Sequence, residues 1–155
     1  MDFDKLLELL RALERQHVEY VLVGGVALSV HGIVRATEDV DLFVRPDPDT
    51  VERLKAAFRA VWEDPEIEQI ATQDLAEEYA TIRYVPPGDG PVIDILARVA
   101  TEFRYEDLEA ERAVLEGVTL SVATPRTLYR MKRNTVRMID RADAEVLRQK
   151  FGLEE

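Results

Sequence analysis

A mixed α/β chain is what this sequence predicts, and three observations carry that reading. Short apolar runs of strand length alternate with amphipathic stretches of helical period. Glycine or proline marks several of the junctions between them. No internal repeat, low-complexity tract or linker divides the 155 residues, so residues 1–155 are expected to form one domain, 46% hydrophobic and long enough to bury a core.

Leu6, Leu7, Leu10 and Leu13 recur at helical spacing behind Asp2 and Asp4, either of which can cap, and this predicts a first helix over 3–16. Tyr20–Val23 reads as a strand. Val26, Ala27 and Val30 after Gly24-Gly25 predict a short helix ending at His31-Gly32, where glycine permits a left-handed cap. Asp39–Val44 is a second strand stopped by Pro46 and Pro48, and a helix then starts at Asp49 or Thr50, with Val51, Leu54, Phe58 and Val61 on one face, and ends near Trp62.

Residues 63–79 are acidic and weakly periodic, with a short helix expected near Thr72–Glu78. Ala80–Val85 and Pro91–Leu96 are apolar runs joined by Pro86-Pro87-Gly88-Asp89-Gly90 and read as a hairpin. A polar helical turn is expected over Tyr105–Ala110, a last edge strand over Val118–Val122, and a C-terminal helical region opening at Pro125. Asp140 and Asp143 resemble capping residues of a last helix ending near Lys150.

Composition excludes several kinds of chemistry. There is no cysteine, so disulfides, thiolate zinc sites and cysteine nucleophiles are ruled out. The N-terminal stretch is charged and amphipathic and no apolar run approaches a membrane span, which makes a cytoplasmic protein without a membrane partner the expectation. A net charge of −11 argues against general coating of nucleic acid. The charge is unevenly spread, however: Thr124–Lys150 holds eight basic and three acidic residues, a local +5 that leaves −16 on the rest.

The stretch Tyr20–Val44, YVLVGGVALSVHGIVRATEDVDLFV, is the most specific in the chain. Residues two apart on a strand share a face, about 7 Å apart, so Asp39 and Asp41 can converge on one ion while Val40 and Leu42 face the core. Of three D-x-D pairs, Asp2/Asp4 lies at a helix start and Asp47/Asp49 in a proline-interrupted loop; only Asp39/Asp41 follows a Gly-Gly turn on an apolar strand. Asp94 interrupts the apolar run VIDIL, and a carboxylate there needs a partner. Either a cation shared with Asp39 and Asp41 or Arg83 on the neighbouring strand would serve. Hard oxygen ligands of this kind suit Mg²⁺ or Mn²⁺.

Gly24-Gly25 lets the backbone approach a ligand closely and aims the following helix at an anion, although no P-loop pattern is present. Lys132 flanks the inward stripe of Leu128, Met131 and Thr135 and can reach a phosphate. Arg35 joins Gly24, Gly25 and Lys132 among the candidate nucleotide-binding residues. His17 and His31 are isolated, and His31 is expected to close the short helix.

VGGVALSVHGIVRATEDVDLFV, then VIDIL, then LYRMKRNTVRMIDRAD together resemble the minimal nucleotidyltransferases of the DNA polymerase beta superfamily, closest to the group that includes the type IV abortive-infection toxin nucleotidyltransferases. The likeness spans about residues 18–146. It implies a small mixed β-sheet flanked by helices, with Gly24 and Gly25 at the nucleotide turn, Asp39 and Asp41 as the metal-binding pair, Asp94 as the third carboxylate and Lys132 as the phosphate-binding lysine. Asp143 matches an acidic position downstream. The chain departs from many members in carrying Gly25 where they have serine.

The resemblance further implies transfer of a nucleoside monophosphate from an NTP to an acceptor, with Mg²⁺ (or Mn²⁺) as cofactor. Because the basic residues are concentrated in Arg126–Lys150 of a short chain, the acceptor is expected to be engaged locally, as a tRNA 3′ end or a partner protein. The competing reading is a regulatory or antitoxin-like protein that keeps this fold and acts by binding.

Overall fold

The computed structural model describes residues 1–76, 81–99 and 103–154. Helix α1 (Phe3–Arg15) begins at Asp2, whose carboxylate accepts hydrogen bonds from the backbone N–H groups of Asp4 and Lys5. Its leucines are buried, as their spacing predicts. Strand β1 (Tyr20–Val23) is buried throughout and runs directly into α2 (Gly24–Val30). His31 closes that helix, and its Nε2–H donates to the Ala123 carbonyl at 2.7 Å.

Strand β2 (Asp39–Val44) is followed by α3 (Pro48–Val61). The helix starts earlier than Asp49 because Asp47 caps it, accepting from Thr50 N–H at 2.7 Å, with Pro48 in the first turn. Proline there continues the helix, since its missing N–H is one that would have had no partner. Two short 3₁₀ turns, Pro65–Gln69 and Thr72–Leu75, replace the single helix expected near Thr72–Glu78; Glu77 and Glu78 lie outside the described residues.

The expected hairpin forms from β3 (Thr81–Tyr84) and β4 (Val92–Leu96), antiparallel with Arg83 opposite Asp94; Ala80 lies outside the described residues. Next come β5 (Arg98–Val99) and β6 (Phe103–Arg104), which pair with each other, and a 3₁₀ turn at Tyr105–Asp107. That turn is the helical turn expected over Tyr105–Ala110, ending sooner, and strand β7 (Ala110–Leu115) follows it where the sequence predicts no strand. It forms a two-residue hairpin with β8 (Val118–Ala123) through Glu116 and Gly117, both at positive φ (47° and 79°).

The main sheet has the order β3-β4-β2-β1-β8-β7, mixed in direction, with β1/β8 and β2/β4 parallel and the other neighbours antiparallel. Strand β8 is therefore interior, and the edge position expected for it belongs to β7. Helices α1 and α3 pack together. Phe58 of α3 stacks on Tyr84 at 5.2 Å, which places α3 on the sheet face to which Tyr84 points. Arg83, one residue away on the strand, points to the other face. Helices α4 (Pro125–Lys132) and α5 (Met138–Phe151) complete the chain. No helix among the described residues is long and apolar enough to cross a membrane.

Candidate active site

Strand β2 alternates between two surroundings: Val40 and Leu42 are fully buried, while Asp39 and Asp41 point to the opposite face. Strand β4 lies parallel beside it and pairs Asp41 with Asp94. Parallel partners project to the same side, so Asp39, Asp41 and Asp94 share one face of the sheet. All three line a cleft of about 600 Å³ together with Gly24, Gly25, Arg35, Lys132 and Asp143. Thus the residues singled out from sequence come together in one place. Leu128 and Met131 of α4 form an apolar part of its wall.

Gly24 shapes the floor. It stands at φ +74°, and a Cβ there would lie 2.0 Å from Asp41 Oδ2. Glycine is thus required twice, by the left-handed backbone and by the approach of the carboxylate. Thr37 orders the start of β2: its hydroxyl accepts from Asp39 N–H at 3.2 Å and donates to the Asp39 carbonyl at 3.1 Å.

Burial pushes the Asp41 carboxyl up to about 6, and the negative charges of Asp94 and Asp39 add to the effect. Asp94 also has the partner that was the alternative to a cation. Arg83 Nε donates to Asp94 Oδ1 at 3.0 Å and its Nη2 to Asp94 Oδ2 at 3.3 Å, while Nη2 also reaches Asp39 Oδ2 at 3.3 Å.

The cationic wall is built differently from the sequence reading. Helix α5 has Arg137 at its N-cap without a side-chain cap bond, so Asp140 and Asp143 do not cap it. Both instead accept from Lys132 Nζ, each at 3.1 Å, and Asp143 is also bonded to Arg35. The reason is burial: Asp143 is only 5% exposed, and a carboxylate there requires cations. For Asp140 burial works against ionisation, but the hydrogen bond and charge of Lys132 outweigh it and hold the carboxyl below its ordinary range. Lys132 is close enough to Asp41 to favour its ionised form.

A divalent cation fits the chemistry of this floor. The donors are all hard carboxylate oxygens, and a cation beside Asp41 would relieve the mutual repulsion of the three carboxylates. Among the described residues no three carboxylate or imidazole groups are arranged to hold an ion as they stand.

Residues 6–142 match the family model described as nucleotidyl transferase AbiEii toxin, type IV TA system. A solved structure of ANT(2″)-Ia in complex with adenylyl-2″-tobramycin superposes with a TM-score of 0.61 at 16% identity, covering 97% of this chain and 90% of that one. A putative nucleotidyltransferase from Thermotoga maritima superposes with a TM-score of 0.57 at 12% identity, covering 97% and 92%. At such identities the likeness is one of fold. No curated protein is a significant match to the sequence.

Proposed function

The chain belongs to the AbiEii nucleotidyl transferase toxin family of type IV toxin–antitoxin systems, and from that premise we propose an Mg²⁺- or Mn²⁺-dependent transfer of a nucleoside monophosphate in the cytoplasm. The acceptor hydroxyl, on an RNA 3′ end or a side chain of a partner protein, gives up its proton to solvent as its oxygen forms the new bond to the α-phosphorus. The bond from that phosphorus to the bridging oxygen breaks, and pyrophosphate leaves. The observation that carries this reading is the set of three carboxylates on one sheet face, beside Gly24 and within reach of Lys132.

When bound, the divalent cation supplies positive charge at the triphosphate and eases ionisation of the acceptor. Asp39, Asp41 and Asp94 would hold it. Gly24 and Gly25 present backbone with no side chain between it and the nucleotide. Lys132 gives two of its three ammonium N–H donors to Asp140 and Asp143, which leaves one for a phosphate oxygen. Arg35 anchors Asp143, so it positions the lysine as well as adding positive charge to the cleft. The contribution of these groups is placement and fixed charge rather than covalent chemistry.

Incubation with each labelled NTP, Mg²⁺ and either total tRNA or cell lysate tests this. One macromolecule should become labelled by the wild type and not by Asp41→Asn. Labelling that persists in that variant, or none from any NTP, would overturn the proposal.

A further inference from the structure

We propose that Arg83 is a built-in counter-ion that competes with a divalent cation for Asp39 and Asp94, so that the cation enters with the nucleotide and not ahead of it. The inference rests on the reading of Asp39, Asp41 and Asp94 as the cation ligands. Its geometric basis is the pairing of β3 with β4, which sets Arg83 opposite Asp94 on the carboxylate face. The guanidinium makes a two-pronged contact with Asp94, and Nη2 extends to Asp39 at 3.3 Å. One arginine thus neutralises two of the three carboxylates.

A cation and a guanidinium compete for the same oxygen lone pairs, and they repel each other. An ion arriving alone must displace Arg83 and leave it without an anion. The situation differs when a triphosphate arrives too. Arg83 lies on the edge strand with its side chain 60% exposed, which leaves it room to turn. Its planar fork suits phosphate as well as carboxylate. The nucleotide therefore offers the displaced arginine new oxygens, and cation and nucleotide each favour the other's binding.

A purely structural ion pair between β3 and β4 makes a different forecast: its removal lowers stability and leaves cation affinity unchanged. The two are separated by titrating Mn²⁺ calorimetrically into wild type and Arg83→Gln, with and without a non-hydrolysable NTP analogue, and recording melting curves of each. Arg83→Gln should bind Mn²⁺ alone about tenfold more tightly than wild type, since a neighbouring positive charge is gone. The enhancement that nucleotide brings should shrink by a similar factor.

Equal Mn²⁺ affinity in the two proteins would overturn the role of Arg83 and leave the carboxylate reading standing. Absence of Mn²⁺ binding in both, even with nucleotide, would remove the carboxylate reading and the proposal with it. Should Arg83→Gln fail to fold, Arg83→Lys gives up the two-pronged contact while keeping the charge. It should bind Mn²⁺ about threefold more tightly than wild type, and an unchanged affinity would refute the inference.

Discussion

Replacing Gly24 by alanine places a methyl group against the carboxylate proposed to hold the cation. Two costs add. The residue stands at φ +74°, and leaving the glycine-permissive region unfilled by glycine costs about 1–2 kcal/mol. The new Cβ would also lie 2.0 Å from Asp41 Oδ2 and 3.1 Å from Asp41 Cβ, so the carboxylate must turn away or the backbone must shift. Overpacking of this kind costs about 1–3 kcal/mol. A total of about 2–5 kcal/mol corresponds, for a chain of this length, to a fall in melting temperature of roughly 4–20 °C.

Calorimetric melting of Gly24→Ala, Asp41→Ala and the double variant separates the two costs. Without the Asp41 carboxylate, Gly24→Ala should retain mainly the backbone cost, so the pair should couple by about 1 kcal/mol. Nucleotide transfer by Gly24→Ala should fall by roughly a hundredfold, the effect of misplacing a reacting group by about 1 Å. An alanine variant as stable and active as wild type would refute the reasoning, and strict additivity would show that the methyl group does not meet Asp41.

Two further predictions rest on other contacts. Lys132→Ala should weaken NTP binding by about 1.5–3 kcal/mol, roughly 10- to 150-fold, in a calorimetric titration; unchanged affinity removes the lysine from the site. Tyr20 donates to Glu14 at 2.8 Å and accepts from Ser121 N–H at 3.1 Å, and burial, with the charge of Glu14 adding to it, holds its hydroxyl proton well above the usual tyrosine range. Above pH about 10 the unfolded chain loses that proton while the folded one keeps it, so Tyr20 costs stability at about 1.4 kcal/mol per pH unit there and nothing below. Tyr20→Phe should be less stable than wild type in urea unfolding at pH 8, and the gap should narrow above pH 10; a constant gap would contradict the account.

Much of the fold was legible because its signals are local. The leucine spacing of α1, the glycines before α2 and the proline-glycine loop between β3 and β4 each bring their own backbone geometry. The Asp39/Asp41 pair was legible for the same reason, since a strand's period of two assigns both side chains to one face. Strand β7 was not legible: Ala110–Leu115 is largely exposed and rich in helix-favouring residues, and its extended form comes from six paired positions along β8.

What only the tertiary structure decided is the pairing of charges. Asp140 and Asp143 have the spacing of helix-start residues, yet their partners are Lys132 and Arg35, brought to them by the packing of α5 against α4 and the cleft. Asp94 was legible as a carboxylate in need of a partner. That it stands beside Asp41 and under Arg83 depends on the parallel register of β2 and β4 and the antiparallel register of β3. Hydrogen-bonding period and capping act over a few residues and are written in the chain, whereas the neighbours of a charge are set by register between segments distant in sequence, and by how much water burial removes.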